Sequence, residues 1–422
     1  MSSPAVFLHI GAMKTGTKYL QNLMEANAES LGRAGYLFPV EGGWGEQVLA
    51  TRDVLHMVGD PRVRQRSAGR WQRLADRMLA YDGGASIVSM EFLSFARKPG
   101  IKRILSSLEG ADTHVVLTVR DAARVIPAQW QTSVRNGHTE AWRDFAEHVM
   151  AGPEVESDGY KVFRRAQDVE TILQRWLAFL PADHIHVVTV PPPTASRTLL
   201  WERFASVVGV DPSVCSNPPP SNNESIGQAS AGLVRLVNLA LGDITVSERS
   251  TVKTELANRI LAMRVSVEPR AATNFALRKF AASANQHSRD AIEAAGVDVV
   301  GDLDDLSVDP GSPPDDELDE IHMPTTEEFL EAAAFAIPHM HAVVDKRARR
   351  LRKSDVAVDD LLEGLPAPVE TSPDQWGDAA DPLDAAVDEL TTVVRVAIDL
   401  QQRIYALDDK KRKKPKASAS AE

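Results

Sequence analysis

The run His9-Ile-Gly-Ala-Met-Lys14-Thr15-Gly16-Thr17-Lys18 places two lysines, two threonines and two glycines within ten residues. The apolar segment Val6–Ile10 leads into it and predicts a buried strand. Leu20, Leu23, Met24, Asn27 and Leu31 follow at helical spacing and predict a helix over 18–32, with Gly32 as its stop. A loop that passes from a strand into a helix N-terminus is suited to gripping a phosphate-like anion. The first backbone N–H groups of the helix lack partners, and the helix dipole favours negative charge there. Gly16 lets the backbone approach closely, Thr15 and Thr17 are expected to add hydroxyl donors, and Lys14 and Lys18 add positive charge. An ordinary strand–helix turn is the alternative. Gly11 and Gly16 also match the glycine spacing of the nucleotide-triphosphate loop G-x-x-x-x-G-K-[ST]. Here, however, Gly16 is followed by Thr17-Lys18, the reverse order, which misplaces both the lysine and the magnesium-binding hydroxyl. A kinase or NTPase therefore ranks third among the functions considered.

Lys14-Thr15-Gly16-Thr17 after a strand, followed by a helix carrying Leu20-Gln21, resembles the 5′-phosphosulfate loop of sulfotransferases that use 3′-phosphoadenosine-5′-phosphosulfate (PAPS). A second motif of that family, a strand ending in Arg and then a helix bearing a Ser, resembles Val115–Val119, Arg120-Asp121 and the helix with Gln129-Trp130 and Gly137. Ser89-Met-Glu91-Phe-Leu93, Leu200-Trp-Glu-Arg-Phe204 and Val299-Val-Gly-Asp302 are similar to segments of bacterial, especially actinobacterial, members. The resemblance covers about residues 1–240, weakens to about 306 and is absent beyond. It implies a cofactor site of Lys14, Thr15, Gly16, Thr17, Lys18 and Arg120, extended by Arg135, Asn136 and Gly137. Three positions depart from the family pattern: Lys18 replaces a second Thr, Ala122 replaces Pro, and Ala128 replaces the 3′-phosphate Ser. Lys18, or Ser133 one turn later, is the expected compensation.

Sulfuryl transfer resembles phosphoryl transfer physically, an in-line displacement assisted by positioning and charge stabilisation. Lys14 suits the cation near the departing oxygen. Glu91, at the end of a predicted strand where an open sheet places its crevice, is the expected base for an acceptor hydroxyl. His56 is the second candidate base. Arg62, Arg64, Arg66, Arg70, Arg73 and Arg77 could rim the entrance for an anionic acceptor. His184 and His186 share one face of a predicted strand, but no acidic or Cys partner is evident, so no metal is expected.

The elements that must position these residues alternate. Strands are predicted at Val6–Ile10, Ile87–Ser89, His114–Val119 and His184–Val190, with helices around 71–81, 99–109, 122–135 and 168–180. That pattern predicts a mainly parallel sheet with helices on both faces, a three-layer α/β/α fold. Beyond about 229 helical spacing takes over, at 229–241, 250–264, 273–295 and Glu327–Leu351. The expected organisation is a domain over 1–240, a helical extension over 241–353, a disordered linker at 354–382, an amphipathic helix at 383–409 and a basic disordered tail at 410–422. The acidic stretch 298–320 reads as loop or linker. The C-terminal helices could dimerise, and the tail could touch anionic lipid.

Composition narrows the function classes. Across 422 residues, 47 Lys and Arg against 59 Asp and Glu give a net charge of −12, which argues against nucleic-acid binding through global positive charge. The single cysteine, Cys215, rules out an intrachain disulfide framework. No apolar run is long enough to span a membrane and no secretory signal is visible, so a cytoplasmic location is expected. The expected function is sulfuryl transfer from PAPS to a hydroxyl, with a sugar or glycolipid as the acceptor class considered. A catalytically degenerate nucleotide-binding or interaction protein is the alternative, and Ala128 favours it.

Overall fold

The computed structural model describes residues 3–40, 43, 45–57, 61–218, 226–313, 319–365 and 372–413. Six strands form one sheet: β1 (Ala5–His9), β2 (Tyr36–Leu37), β3 (Ala85–Ser89), β4 (Asp112–Val119), β5 (Ile185–Thr189) and β6 (Asp298–Val300). Their spatial order is β2-β3-β1-β4-β5-β6, and every pairing is parallel. Side chains of a strand alternate between faces, and two apolar clusters follow that alternation. Val6, Leu8, Val88, Val115 and Leu117 pack with Ile101, Ile104 and Trp176 on one face. Phe7, Ile87, Val116 and Val188 pack with Leu20, Met24, Trp201 and Phe204 on the other. Both faces are covered, so the strands read as continuous apolar runs, and the fold is a three-layer α/β/α sandwich as expected.

A third cluster is helical. It joins Trp130, Trp142 and Phe145 to residues of helices Gln228–Leu241, Thr326–Arg352 and Pro382–Lys413. The helical body therefore draws on residues well before 241. Its last helix turns Ala386, Leu390, Val393, Val394, Ala397 and Leu400 into this core. The apolar stripe that suggested dimerisation is thus covered within the chain.

Several expectations need correction. The stretch 298–320 is not a linker at its start: β6 pairs with β5, and Thr189 Oγ1 donates to Asp305 Oδ2 at 2.7 Å. Its acidity hid a three-residue edge strand. The helix expected over 18–32 breaks at Asn27, whose Nδ2 donates to the Leu23 and Asn217 carbonyls, both at 2.8 Å; such a side chain competes with the helical ladder. In 354–382, Asp359–Leu362 and Pro373–Trp376 form single turns. Trp376 is buried and donates Nε1 to Glu389 Oε2 at 3.0 Å, which anchors the segment; residues 366–371 lie outside the described residues. The final helix continues through Lys413, and the remainder of the basic tail lies outside the described residues. The sequence reading also passes over helices Gly45–Val54, Pro61–Ser67, Trp142–Ala151, Asp158–Gln167 and Leu199–Val208, and the edge strand β2. No described helix is long and apolar enough to cross a membrane.

Candidate functional site

Chain connections leave β1 toward β3 and β2 on one side, and leave β4 toward β5 on the other. The carboxyl ends of β1 and β4 therefore flank the point where the winding reverses, the usual position of a ligand crevice in an open α/β sheet. The Lys14 loop follows β1, and Arg120 follows β4. Arg120 Nη1 donates to the Lys14 carbonyl at 3.2 Å, and Gln167 Nε2 donates to the Met13 carbonyl at 2.7 Å. A trans peptide points its N–H opposite its carbonyl, so the N–H groups of Lys14 and Thr15 face the other side. The backbone accommodates this with left-handed conformations at Lys14 (φ 67°) and Gly16 (φ 84°). For Lys14 that conformation costs about 1–2 kcal/mol, strain of the kind that collects at ligand sites. At Gly16 the positive φ favours glycine, and a Cβ there would also displace Leu200 Cδ2.

Beneath the loop runs a buried polar relay. Thr15 Oγ1 donates to the Ala12 carbonyl at 2.5 Å, so it accepts from Thr118 Oγ1 at 2.6 Å. Thr118 in turn accepts from His9 Nε2 at 3.2 Å, which leaves His9 Nδ1 to accept from Ser89 Oγ at 2.7 Å. His9 is thereby a neutral imidazole, and burial pushes its pKa down to about 3. The Thr15 hydroxyl, expected as a donor to an anion, here donates to the Ala12 carbonyl and staples the loop to β4. Thr17 differs: its Oγ1 is buried, with no hydrogen-bond partner among the described residues.

Beside the loop lies a cleft of about 640 Å³ lined by Lys14, Arg120, Arg124, Arg135 and Arg270, with no carboxylate among its described lining residues. Burial, then the neighbouring Arg124, lowers the Arg120 guanidinium to about 10; Asp121 opposes this and Arg270 adds to it. Arg120 Nε is buried with no hydrogen-bond partner among the described residues. Crowding four guanidiniums and an ammonium around one cleft is unfavourable unless an anion offsets it. Arg124 is itself held by Asp121 and donates Nη1 to the Pro191 carbonyl at 3.2 Å.

Of the residues expected in a cofactor site, the cleft brings together Lys14, Arg120 and Arg135. Thr15, Gly16, Thr17 and Lys18 belong to the adjoining loop and the first helical turn, and Lys18 is half-buried there. Gly137 and Asn136 instead line a separate depression, where the Arg249 guanidinium lies against Gly137. Ala128 does line the cleft, but Ser133 is buried and is not among the lining residues. The hydroxyl on that wall is Thr132, donating to the Ala128 carbonyl at 3.0 Å. Sequence reading passed over Arg124 and Arg270. Arg124 was findable, four residues after Arg120 in the first turn of the helix that follows it; Arg270 sits in irregular chain that carries no motif.

Glu91 occupies the opposite flank, at the carboxyl end of β3. Its Oε2 accepts from Gln21 Nε2 at 3.2 Å, and Gln21 also donates to the Ser89 carbonyl at 2.9 Å. His56 is not part of this constellation. Gln47, near the start of helix Gly45–Val54, bonds the Ser89 backbone at 2.9 Å. His56 follows the other end of that helix, nine residues and ~13 Å along the axis, exposed and in a left-handed conformation. Among the arginines expected at the rim, Arg70 is paired with Glu46.

No protein-family model, curated protein or solved structure matches the chain.

Proposed function

We propose that the protein is a sulfotransferase that moves a sulfuryl group from PAPS to a hydroxyl acceptor. The observation that carries this reading is the joining of the Lys14 loop to Arg120 at the reversal point of the sheet, beside a cleft lined by five cations. The residues fit a nucleotide carrying two separated anionic groups. Thr17 Oγ1 and Arg120 Nε are buried polar atoms with no hydrogen-bond partner among the described residues, one at the start of the helix after the loop and one at the cleft, and each gains by meeting an anion. The loop backbone with Thr17 would hold the 5′-phosphosulfate, and Arg120 with Arg124, Arg135 and Arg270 would hold the 3′-phosphate.

Bound there, PAPS supplies an activated sulfuryl group with a stable nucleotide as leaving group. Lys14 holds positive charge at the loop, where negative charge builds on the departing oxygen. Glu91 lies across the loop from the nucleotide cleft, and Gln21 orients its carboxylate. Its role is to receive the proton of the acceptor hydroxyl at Oε2. This arrangement separates donor and acceptor on two flanks of one loop, which suits an in-line displacement.

A second reading, a nucleotide-binding protein without transfer activity, is favoured by Ala128, which presents a methyl group on the cleft wall. Calorimetric titration separates the classes. 3′,5′-Adenosine bisphosphate should bind at least tenfold more tightly than 5′-AMP or magnesium ATP; preferential binding of magnesium ATP rejects the sulfotransferase reading. Transfer of labelled sulfate from PAPS to a panel of hydroxyl compounds then distinguishes enzyme from binding protein.

A further inference from the structure

At the amino ends of β4, β5 and β6, the far end of the sheet from the crevice, three histidines and two aspartates converge. The sequence places His184 and His186 on one strand face with no visible acidic partner. Strand pairing supplies the partners: β6 sets Asp298 beside His186, and β4 brings Asp112 and His114 alongside. His186 Nδ1 lies 2.8 Å from Asp298 Oδ2. A carboxylate only accepts, so Nδ1 carries the proton and the Nε2 of a neutral His186 is bare. That Nε2 lies 3.0 Å from His114 Nδ1, which must therefore donate to it. A neutral His114 then turns an unprotonated Nε2 toward Asp112 Oδ2, 3.4 Å away. Two electron-rich acceptors face each other. His184 Nδ1 donates to the Thr113 carbonyl at 3.1 Å and lies 3.6 Å from the other oxygen of the same carboxylate, so Nε2 is its bare nitrogen; its ring is stacked parallel on His114 at 4.5 Å. A cation between His114 Nε2 and the carboxylate, whether a proton on the ring or a metal ion, resolves the two facing acceptors.

We propose that Asp112, His114 and His184 bind a divalent transition-metal ion, with Zn²⁺ as the best match, and that His186 and Asp298 form the relay orienting His114. Among the described residues, the three ligands each offer an atom, and these atoms all lie within 4.8 Å of one another. Zinc takes imidazole nitrogen and carboxylate oxygen at about 2.0–2.2 Å, and an imidazole binds through a lone pair in its ring plane, so closure onto the ion needs the ligand atoms to draw together and the His184 ring to turn out of its stack on His114. Asp112 is half exposed and His184 about one third exposed, which leaves them room to move and leaves a coordination position open to water. The hydrogen-bond chain from Asp298 through His186 to His114 is the outer-shell arrangement that fixes a ligating imidazole's tautomer. β4 spans eight residues, so the site lies about 23 Å from Arg120. The ion would clasp neighbouring strands together and take no part in chemistry at the crevice.

The test uses the full-length, untagged chain, stripped with chelator and titrated calorimetrically with ZnCl₂, with Co²⁺ visible absorption as the coordination signature. The expected result is one equivalent bound in the micromolar range, a raised Tm and a tetrahedral-type cobalt spectrum. Asp112→Asn and His184→Gln, both at solvent-facing positions, should each weaken binding roughly 100-fold or more. His186→Gln should keep the stoichiometry and lose about 10- to 100-fold in affinity, the scale of an outer-shell deletion. No micromolar binding, or wild-type affinity in Asp112→Asn or His184→Gln with the fold intact by circular dichroism, overturns the proposal.

Discussion

Arg120 reaches across from the end of β4 to donate a hydrogen bond, 3.2 Å long, to the backbone carbonyl of Lys14. This contact couples two segments more than a hundred residues apart and aims one guanidinium at both the loop and the cationic cleft. Under the proposed function Arg120 therefore has two separable jobs, holding the loop and meeting an anion.

The anion-meeting role predicts selective loss. Arg120→Ala should weaken 3′,5′-adenosine bisphosphate by about 10- to 100-fold, the scale of a charged hydrogen bond, and weaken 5′-AMP far less. Arg120→Lys, which keeps the charge and loses the fork, should fall between. Equal losses for both nucleotides would show that Arg120 does not read the 3′-phosphate. In the converse variant, Ala128→Ser adds a hydroxyl to the cleft wall and should tighten the bisphosphate several-fold.

Lys14 tests the chemistry more directly. Lys14→Ala removes the cation of the loop and should reduce kcat by roughly 10²–10³, as for the loss of one preorganised donor. Thermal stability should change little, because the side chain is only half-buried. Near wild-type turnover with PAPS in this variant would remove Lys14 from the mechanism.

Glu91 and Gln21 form the other measurable pair. Glu91→Gln should leave bisphosphate affinity intact and lower kcat by ~10²–10⁴, the usual contribution of a general base. Glu91→Asp should be impaired but detectable. His56→Ala should leave turnover unchanged, since His56 is exposed at the far end of its helix. The reverse outcome, a silent Glu91→Gln and an inactive His56→Ala, would make His56 the base and Glu91 structural.

The buried relay predicts an acid sensitivity. In the folded protein the His9 pKa lies near 3, well below the ordinary 6.5, so protons bind the unfolded chain preferentially. Its contribution to stability is complete above pH 6.5 and is lost as pH falls toward 3, by about 1.4 kcal/mol per pH unit. The groups packed around the ring, Ser89, Thr118 and Phe204, carry no charge that would offset this. Urea unfolding at pH 7.5, 6 and 5 should show a shallower pH dependence in His9→Asn than in the wild type. Parallel curves for the two proteins would count against a buried neutral His9.

The fold class and the strand–loop–helix around Lys14 were legible in the sequence because they rest on local signals. Runs such as Val6–Ile10 and Val115–Val119 mark strands covered on both faces, and Lys14, Thr15, Gly16 and Thr17 between a strand and a helical pattern mark the loop whatever the rest of the chain does. Residues whose roles depend on distant partners were not legible. Thr15 and Thr17 look alike in sequence, yet Thr118, brought alongside by β4, turns one inward, while the other has no hydrogen-bond partner among the described residues. Arg270 carries no motif and joins the cleft only because the helical body packs against the helix following Arg120. Asp298 read as one acid in an acidic linker until β6 paired with β5 and set it against His186. Local propensity and periodicity act over a few residues, whereas a binding site is decided by which strand ends meet, and only the closed sheet determines that.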